Sequence, residues 1–186
     1  YRGNFKDNKR NGNGILTFSN ECFCEGSWSN DLANGICKMT LSNGDYYEGE
    51  FKDGQKSGKG RYRFKNGAEY IGNWARDDKH GLGVMIYSNN DKYRGEWNIG
   101  VRSGKGIYES KSGIVYKGNW RNDLMHGSGN LSYPNGSFYS GEWFEGTKTG
   151  DGVFQYETGE KYDGGWLNNN RTGKGRYFWT NGEQFF

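Results

Sequence analysis

Tyr116-Lys117-Gly118-Asn119-Trp120 carries the pattern that decides the fold: aromatic, glycine and aromatic at every second place, with polar residues between them. The same pattern begins at residues 1, 47, 70, 93, 139 and 162, and Cys24-Gly26-Trp28 fills the one gap, so consecutive copies start 23 residues apart. A fixed period of this length is the signature of a repeat array, in which each unit buries its apolar face against its neighbours. Eight full units occupy residues 1–184, and Phe185-Phe186 open a ninth. The chain is therefore expected to be a segment of a longer array, cut at both ends.

Numbering places within the unit from 1 to 23 explains the composition. Glycine falls at places 3, 12, 14 and 21, which hold 29 of the 33, and aromatics concentrate at places 1, 5, 16 and 18, which hold 26 of the 32. Places 1 to 5 alternate, so Tyr93, Gly95 and Trp97 face one way while Arg94 and Glu96 face the other, as in a half-buried strand. Places 14 to 18 alternate again, as in Gly152-Val153-Phe154-Gln155-Tyr156, and the polar stretch between the two strands closes a hairpin. Asn43-Gly44, Asn66-Gly67, Asn135-Gly136 and Asn181-Gly182 then reverse the chain. A two-residue turn there would put the next aromatic strand on the wrong face. An odd loop of three or five residues, with its glycine left-handed, keeps every ring on one side. Glycine at place 3 lets a neighbouring ring lie directly on backbone.

These elements predict an all-β fold: an elongated single-layer antiparallel β-meander of about sixteen strands, on the order of 75 Å long at about 4.8 Å per strand. An apolar fraction of 32% and a mean hydropathy of −1.08 argue against a thick core, and 7 Trp, 14 Tyr and 11 Phe argue against disorder. No run approaches the length of an apolar membrane span, and no apolar leader opens the chain. A net charge of +3 gives no reason to expect nucleic acid. Three cysteines do not make a disulfide framework and fit a reducing, cytoplasmic setting.

The unit Tyr-x-Gly-x-Trp, then Gly-x-Gly as in His126-Gly127-Ser128-Gly129, then Asn-Gly, resembles the MORN repeat over the whole chain. Departures gather in the second unit, where Cys24 and Cys37 replace Tyr and Gly; Glu21, Asn90 and Ser110 are smaller ones. The resemblance implies non-enzymatic modules found in cytoskeletal and ciliary scaffolds, in junction proteins tying membranes together, and beside kinase or SET methyltransferase domains. The expectation is a structural scaffold that self-associates as a homodimer through open sheet ends and docks a protein partner in a cytoskeletal assembly. The alternatives are a phosphoinositide- or acidic-membrane-binding platform at the membrane periphery and a targeting module for an enzyme domain outside this sequence.

No catalytic constellation emerges. His80 and His126 both fall at place 11, about 19 Å apart by strand spacing, and read as loop hydrogen-bonding groups. No phosphate-cradling helix follows any Gly-x-Gly. Tyr70, Trp74, Tyr93, Trp97, Tyr116, Trp120, Tyr139, Trp143, Tyr162 and Trp166 form two aromatic ladders, expected to bury one another in part and to leave a groove for an extended peptide, an amphipathic helix or a second sheet. Place 10 carries Arg10, Lys56, Lys79, Arg102, Lys148 and Arg171, expected as a basic ladder along one loop edge to which acidic phospholipids or an acidic partner could bind. No cofactor is expected. The alternative is an intermolecular zinc at Cys22 and Cys24, which are two apart and project to one face, with Cys37 near the opposite end of the hairpin.

Overall fold

A computed structural model describes residues 1–18 and 22–185; Glu21 and Phe186, named above, lie outside the described residues. The first strand of each repeat is short: β1 Arg2–Lys6, β3 Phe23–Ser29, β5 Tyr46–Lys52, β7 Glu69–Ala75, β9 Lys92–Asn98, β11 Val115–Arg121, β13 Phe138–Phe144 and β15 Lys161–Leu167. The second is longer: β2 Lys9–Thr17, β4 Leu32–Thr40, β6 Gln55–Arg63, β8 Asp78–Ile86, β10 Val101–Glu109, β12 Leu124–Ser132, β14 Thr147–Gln155 and β16 Asn170–Phe178, with β17 Gln184–Phe185 last. The chain forms two compact units, one of Tyr1–Asn90 with Trp97–Gly100, the other of Asp91–Glu96 with everything from Val101 onward. In the first, β1 to β8 pair antiparallel in chain order; in the second, β10 to β17 do the same, with β9 beside β10. The all-β antiparallel meander expected from the period is present.

Among the described residues the connections between repeats are five residues long, an odd number as parity requires: Leu41–Asp45 joins β4 to β5, and residues 64–68 join β6 to β7. Gly67 takes φ 86° and its N–H donates to the Phe64 carbonyl, which closes the loop. The connection inside each repeat differs from the sequence reading. Instead of a long polar loop ending at place 14, the second strand starts at place 9 and the turn is only two residues, both at positive φ, as in Asn122 (49°) and Asp123 (65°). This is the I′ geometry that matches strand twist. His80 and His126 accordingly sit on β8 and β12, not in loops.

The long second strand keeps its place-12 glycine for a separate reason. Gly118 pairs with Gly129, but the next residue, Asn119, pairs with His126, so Gly127 and Ser128 have no partner on β11. Gly127, at φ 61°, absorbs this bulge. The extra length is two residues, an even number, so side-chain alternation survives and place 10 returns to the aromatic face.

On that face the place-1 tyrosine lies flat over a glycine pair. A Cβ on Gly129 would sit 2.3 Å from the Tyr116 hydroxyl, which donates to the Asn119 carbonyl at 2.9 Å. The ring stands edge-on to Trp120 of its own repeat, at 5.1 Å, and to Trp143 of the next, at 5.4 Å. Each such pair contributes about 1 kcal/mol beyond the area it buries. Tyr47, Tyr70, Tyr93 and Tyr139 are wholly buried in the same way.

Candidate docking face

Burial separates the rings of the aromatic face into two classes. The ten residues of the expected docking ladders, Tyr70, Trp74, Tyr93, Trp97, Tyr116, Trp120, Tyr139, Trp143, Tyr162 and Trp166, are 0% to 8% exposed. They are the interior of the stack and have little surface to offer a partner. The physical reason lies at place 10. Its cations are not a solvated loop edge, as the sequence suggested, but a lid on the rings.

Lys148 stands 4.8 Å from the centre of Phe154 and 5.1 Å from those of Tyr139 and Trp166; Arg102 stands 4.3 Å above Trp120, and Lys79 4.2 Å above Trp97. Lys56 covers Trp74, Arg10 covers Trp28 and Arg171 covers Tyr162. Each cation therefore bridges its own repeat's tyrosine and the next repeat's tryptophan, where there is one, and each such contact contributes on the order of 1 kcal/mol. Burial pushes the Lys56 and Lys148 ammonium groups below the usual lysine range. Arg10 and Arg102 are held further, by Asp31 at 3.2 Å and Asp123 at 2.9 Å from the next repeat's turn. Committed in this way, most of the column is unavailable as a flat basic surface for a bilayer.

A second class of ring lies on the same face at places 16 and 18. In the second unit Tyr133, Phe154, Tyr156, Tyr177 and Trp179 follow one another with centroids 6.2, 4.7, 6.0 and 4.9 Å apart. The first four are half-buried and Trp179 is exposed. The Tyr133 and Tyr156 hydroxyls make no hydrogen bond among the described residues, and burial raises the Tyr133 phenol above its ordinary range, so it stays a donor. Tyr177 donates to Glu160 at 2.9 Å, and Arg171 lies over its ring. The sequence reading counted these rings at places 16 and 18 and gave them no role. The signal that would have found them is their position at the outer end of the second alternating block, next to the loop.

Place 22 fixes that loop. Asp45 accepts from the Tyr62 hydroxyl at 2.7 Å and from the Lys65 N–H at 2.8 Å. Burial works upward on its carboxyl, but these donors and Asn43 outweigh it, and the group sits below the usual carboxylate range. Asp91 takes the same role toward Tyr108 and the Lys111 N–H. Such carboxylates clamp successive repeats together.

The cysteines differ from expectation. Cys37 is not at the far end of the hairpin: it pairs with Gly26, its thiol donates to the Ser27 carbonyl at 3.3 Å, and both it and Cys24 are 1% exposed. Cys22 lies before β3 and is 7% exposed. Cys24 thus faces its own chain, and among the described residues no group of three or more potential ligands gathers. The pair fills the space that tyrosine over glycine fills elsewhere. His126 Nδ1 has no hydrogen-bond partner among the described residues, and its ring lies 5.5 Å from Phe144.

The MORN repeat family is matched at residues 1–23, 24–46, 47–69, 70–92, 93–115, 116–138, 139–161 and 162–184. No curated protein sequence matches the chain. Among solved structures, the TCP domain of SAS-4 (dCPAP) of Drosophila melanogaster, in complex with a proline-rich motif of Ana2 (dSTIL), is 14% identical and superposes with a TM-score of 0.51 over 93% of this chain and 88% of that one. The wild-type TCP10 domain of Danio rerio CPAP is 13% identical, with a TM-score of 0.52 over 92% and 81%. The G-box domain of the microcephaly protein CPAP, described with a suggested role in centriole elongation, is 15% identical, with a TM-score of 0.51 over 94% and 97%. At these identities the likeness is one of fold.

Proposed function

The chain belongs to the MORN-repeat family, and from that premise we propose that it is a non-enzymatic interaction module that docks an extended, proline-rich peptide along the Tyr133 to Trp179 stripe, within a cytoskeletal assembly. The observation that carries the proposal is the continuous row of half-exposed rings, backed by a face that is otherwise closed. Its spacing suits one conformation. A repeat advances by two strands, about 9.6 Å, while a polyproline II helix advances about 9.3 Å per three-residue turn. A peptide laid across the strands would thus present equivalent residues to successive repeats. Proline rings pack on aromatic faces, and a preformed polyproline helix loses little entropy on binding. The Tyr133 and Tyr156 hydroxyls supply donors for its carbonyls. The domain of SAS-4 that shares this fold was solved with a proline-rich motif, and the CPAP domains give the cytoskeletal setting by analogy.

The test is fluorescence anisotropy with labelled proline-rich peptides and a scrambled, proline-free control, on the native chain and on Tyr156→Ala and Trp179→Ala. A tenfold or greater loss of affinity in the variants, with unchanged circular dichroism, is expected. Equal binding of the control peptide, or unaltered binding by both variants, refutes the reading.

A further inference from the structure

We infer that the opposite, polar face of the second unit binds a second copy of this chain, about a two-fold axis parallel to the strands and passing between β12 and β13. This uses neither the aromatic stripe nor the peptide, and stands on a separate set of residues. Arg94, Lys105 and Lys117, on three neighbouring strands, line a groove of about 550 Å³ with Ile107, Asn119 and Ser128. No ion pair among the described residues involves any of the three cations, and Lys105 and Lys117 are exposed. Their registers are set by Lys105 opposite Asn119 and Lys117 opposite Ile107.

Two repeats further on, 46 residues in each case, the same two places hold Asp151 and Asp163, set opposite Gly165 and Val153. Glu142, on β13, extends the acidic patch. The unit therefore shows lysines and aspartates at matching places on one face, a basic groove bordered by Glu96 and an acidic ridge in which Lys161 lies 3.9 Å from Asp163. A two-fold between β12 and β13 exchanges β10 with β15 and β11 with β14. That brings Lys105 and Lys117 of one copy over Asp163 and Asp151 of the other, shifted by two residues along the strand, a step a lysine stem spans. Glu109 then meets Lys161, and Glu96 meets Lys174. Arg176 meets Arg94 at the rim, where solvent screens the repulsion.

Symmetry uses each complementary pair twice, as an isologous contact requires. Beside the axis the face carries Ser128, Asn130, Ser140 and Glu142, with three open apolar residues at the strand ends: Leu124 is 44% exposed, Phe138 37% and Phe144 54%. A small anion would not need the acidic ridge, and an acidic peptide would not explain the exposed apolar residues between the two patches.

Charge reversal gives the test. Lys105→Asp with Lys117→Asp makes both patches acidic; Asp151→Lys with Asp163→Lys makes both basic. Mass is measured by light scattering on a sizing column, with circular dichroism as the control for folding. The native chain is expected to be dimeric, each double variant monomeric, and an equimolar mixture of the two to regain the dimer mass, because groove and ridge become complementary again. A monomeric native chain, variants that dimerise like it, or a mixture that stays monomeric each overturns the inference. Both variants should keep the affinity for proline-rich peptide, so the two readings fail separately.

Discussion

Replacing Gly129 and Tyr116 by cysteine, singly and together, probes the contact on which every repeat is built. A Cβ on Gly129 would stand 2.3 Å from the Tyr116 hydroxyl and 2.6 Å from two of its ring carbons, against an ordinary separation of about 3.5–4.0 Å. The ring cannot retreat, because Trp120 and Trp143 stand edge-on at 5.1 and 5.4 Å, and moving it breaks the hydrogen bond to Asn119. Overpacking costs about 1–3 kcal/mol and the broken bond about 1 kcal/mol, so Gly129→Cys should destabilise by about 3 kcal/mol. Tyr116→Cys leaves a cavity and should cost about 3–4 kcal/mol. Independent effects would then sum to about 6–7 kcal/mol.

Repeat 2 shows why they should not sum. There Cys24 and Cys37 occupy these two places, each 1% exposed. The smaller residue at place 1 makes the room that a side chain at place 14 needs. The double variant should therefore cost about 3–4 kcal/mol, a coupling of about 3 kcal/mol in a double-mutant cycle. The assay is urea unfolding followed by tryptophan fluorescence, read at constant slope. Additivity within about 0.5 kcal/mol would refute the packing argument.

Two further outcomes follow from the same geometry. Ile99 holds φ 47° at the first turn position while 69% exposed, a conformation costing a β-branched residue about 1–2 kcal/mol, so Ile99→Asn, which forms an Asn-Gly turn with Gly100, should stabilise by about 1 kcal/mol and raise Tm by about 2–4 °C in calorimetry. Burial raises the phenols of Tyr47, Tyr70 and Tyr116 and pushes Tyr139 up to about 12; their contribution is complete below the unfolded value of about 10 and is lost as pH rises above it, by about 1.4 kcal/mol per pH unit for each tyrosine, so titration at 295 nm should show phenolate appearing together with loss of tryptophan order, and smooth ionisation of a folded chain near pH 10 would contradict it.

Some features were legible from residue types because they are periodic and local. The 23-residue spacing, the alternation at places 1 to 5 and the Asn-Gly pairs were enough for the strands, the meander and the odd length of the loops, since strand faces repeat every two residues and loop parity follows from that, while the choice of five residues over three was not. The two-residue turns were obscured because Arg76, Ile99 and Glu145 stand where turn chemistry favours asparagine or glycine, and only their positive φ reveals the geometry. A polar run was read as loop when it was strand.

What the tertiary structure alone decided is which side chains are covered. Lys148 and Arg102 read as solvated charges until the next repeat's Trp166 and Trp120 are brought beneath them, an arrangement that depends on an even-length bulge no composition signals. The same stacking sorted rings of like chemistry into a closed interior, Tyr139 and Trp143, and an open stripe, Tyr156 and Trp179. Burial is a property of pairs of repeats, so a residue's own place in the period states which face it joins and leaves to its neighbours whether that face meets water.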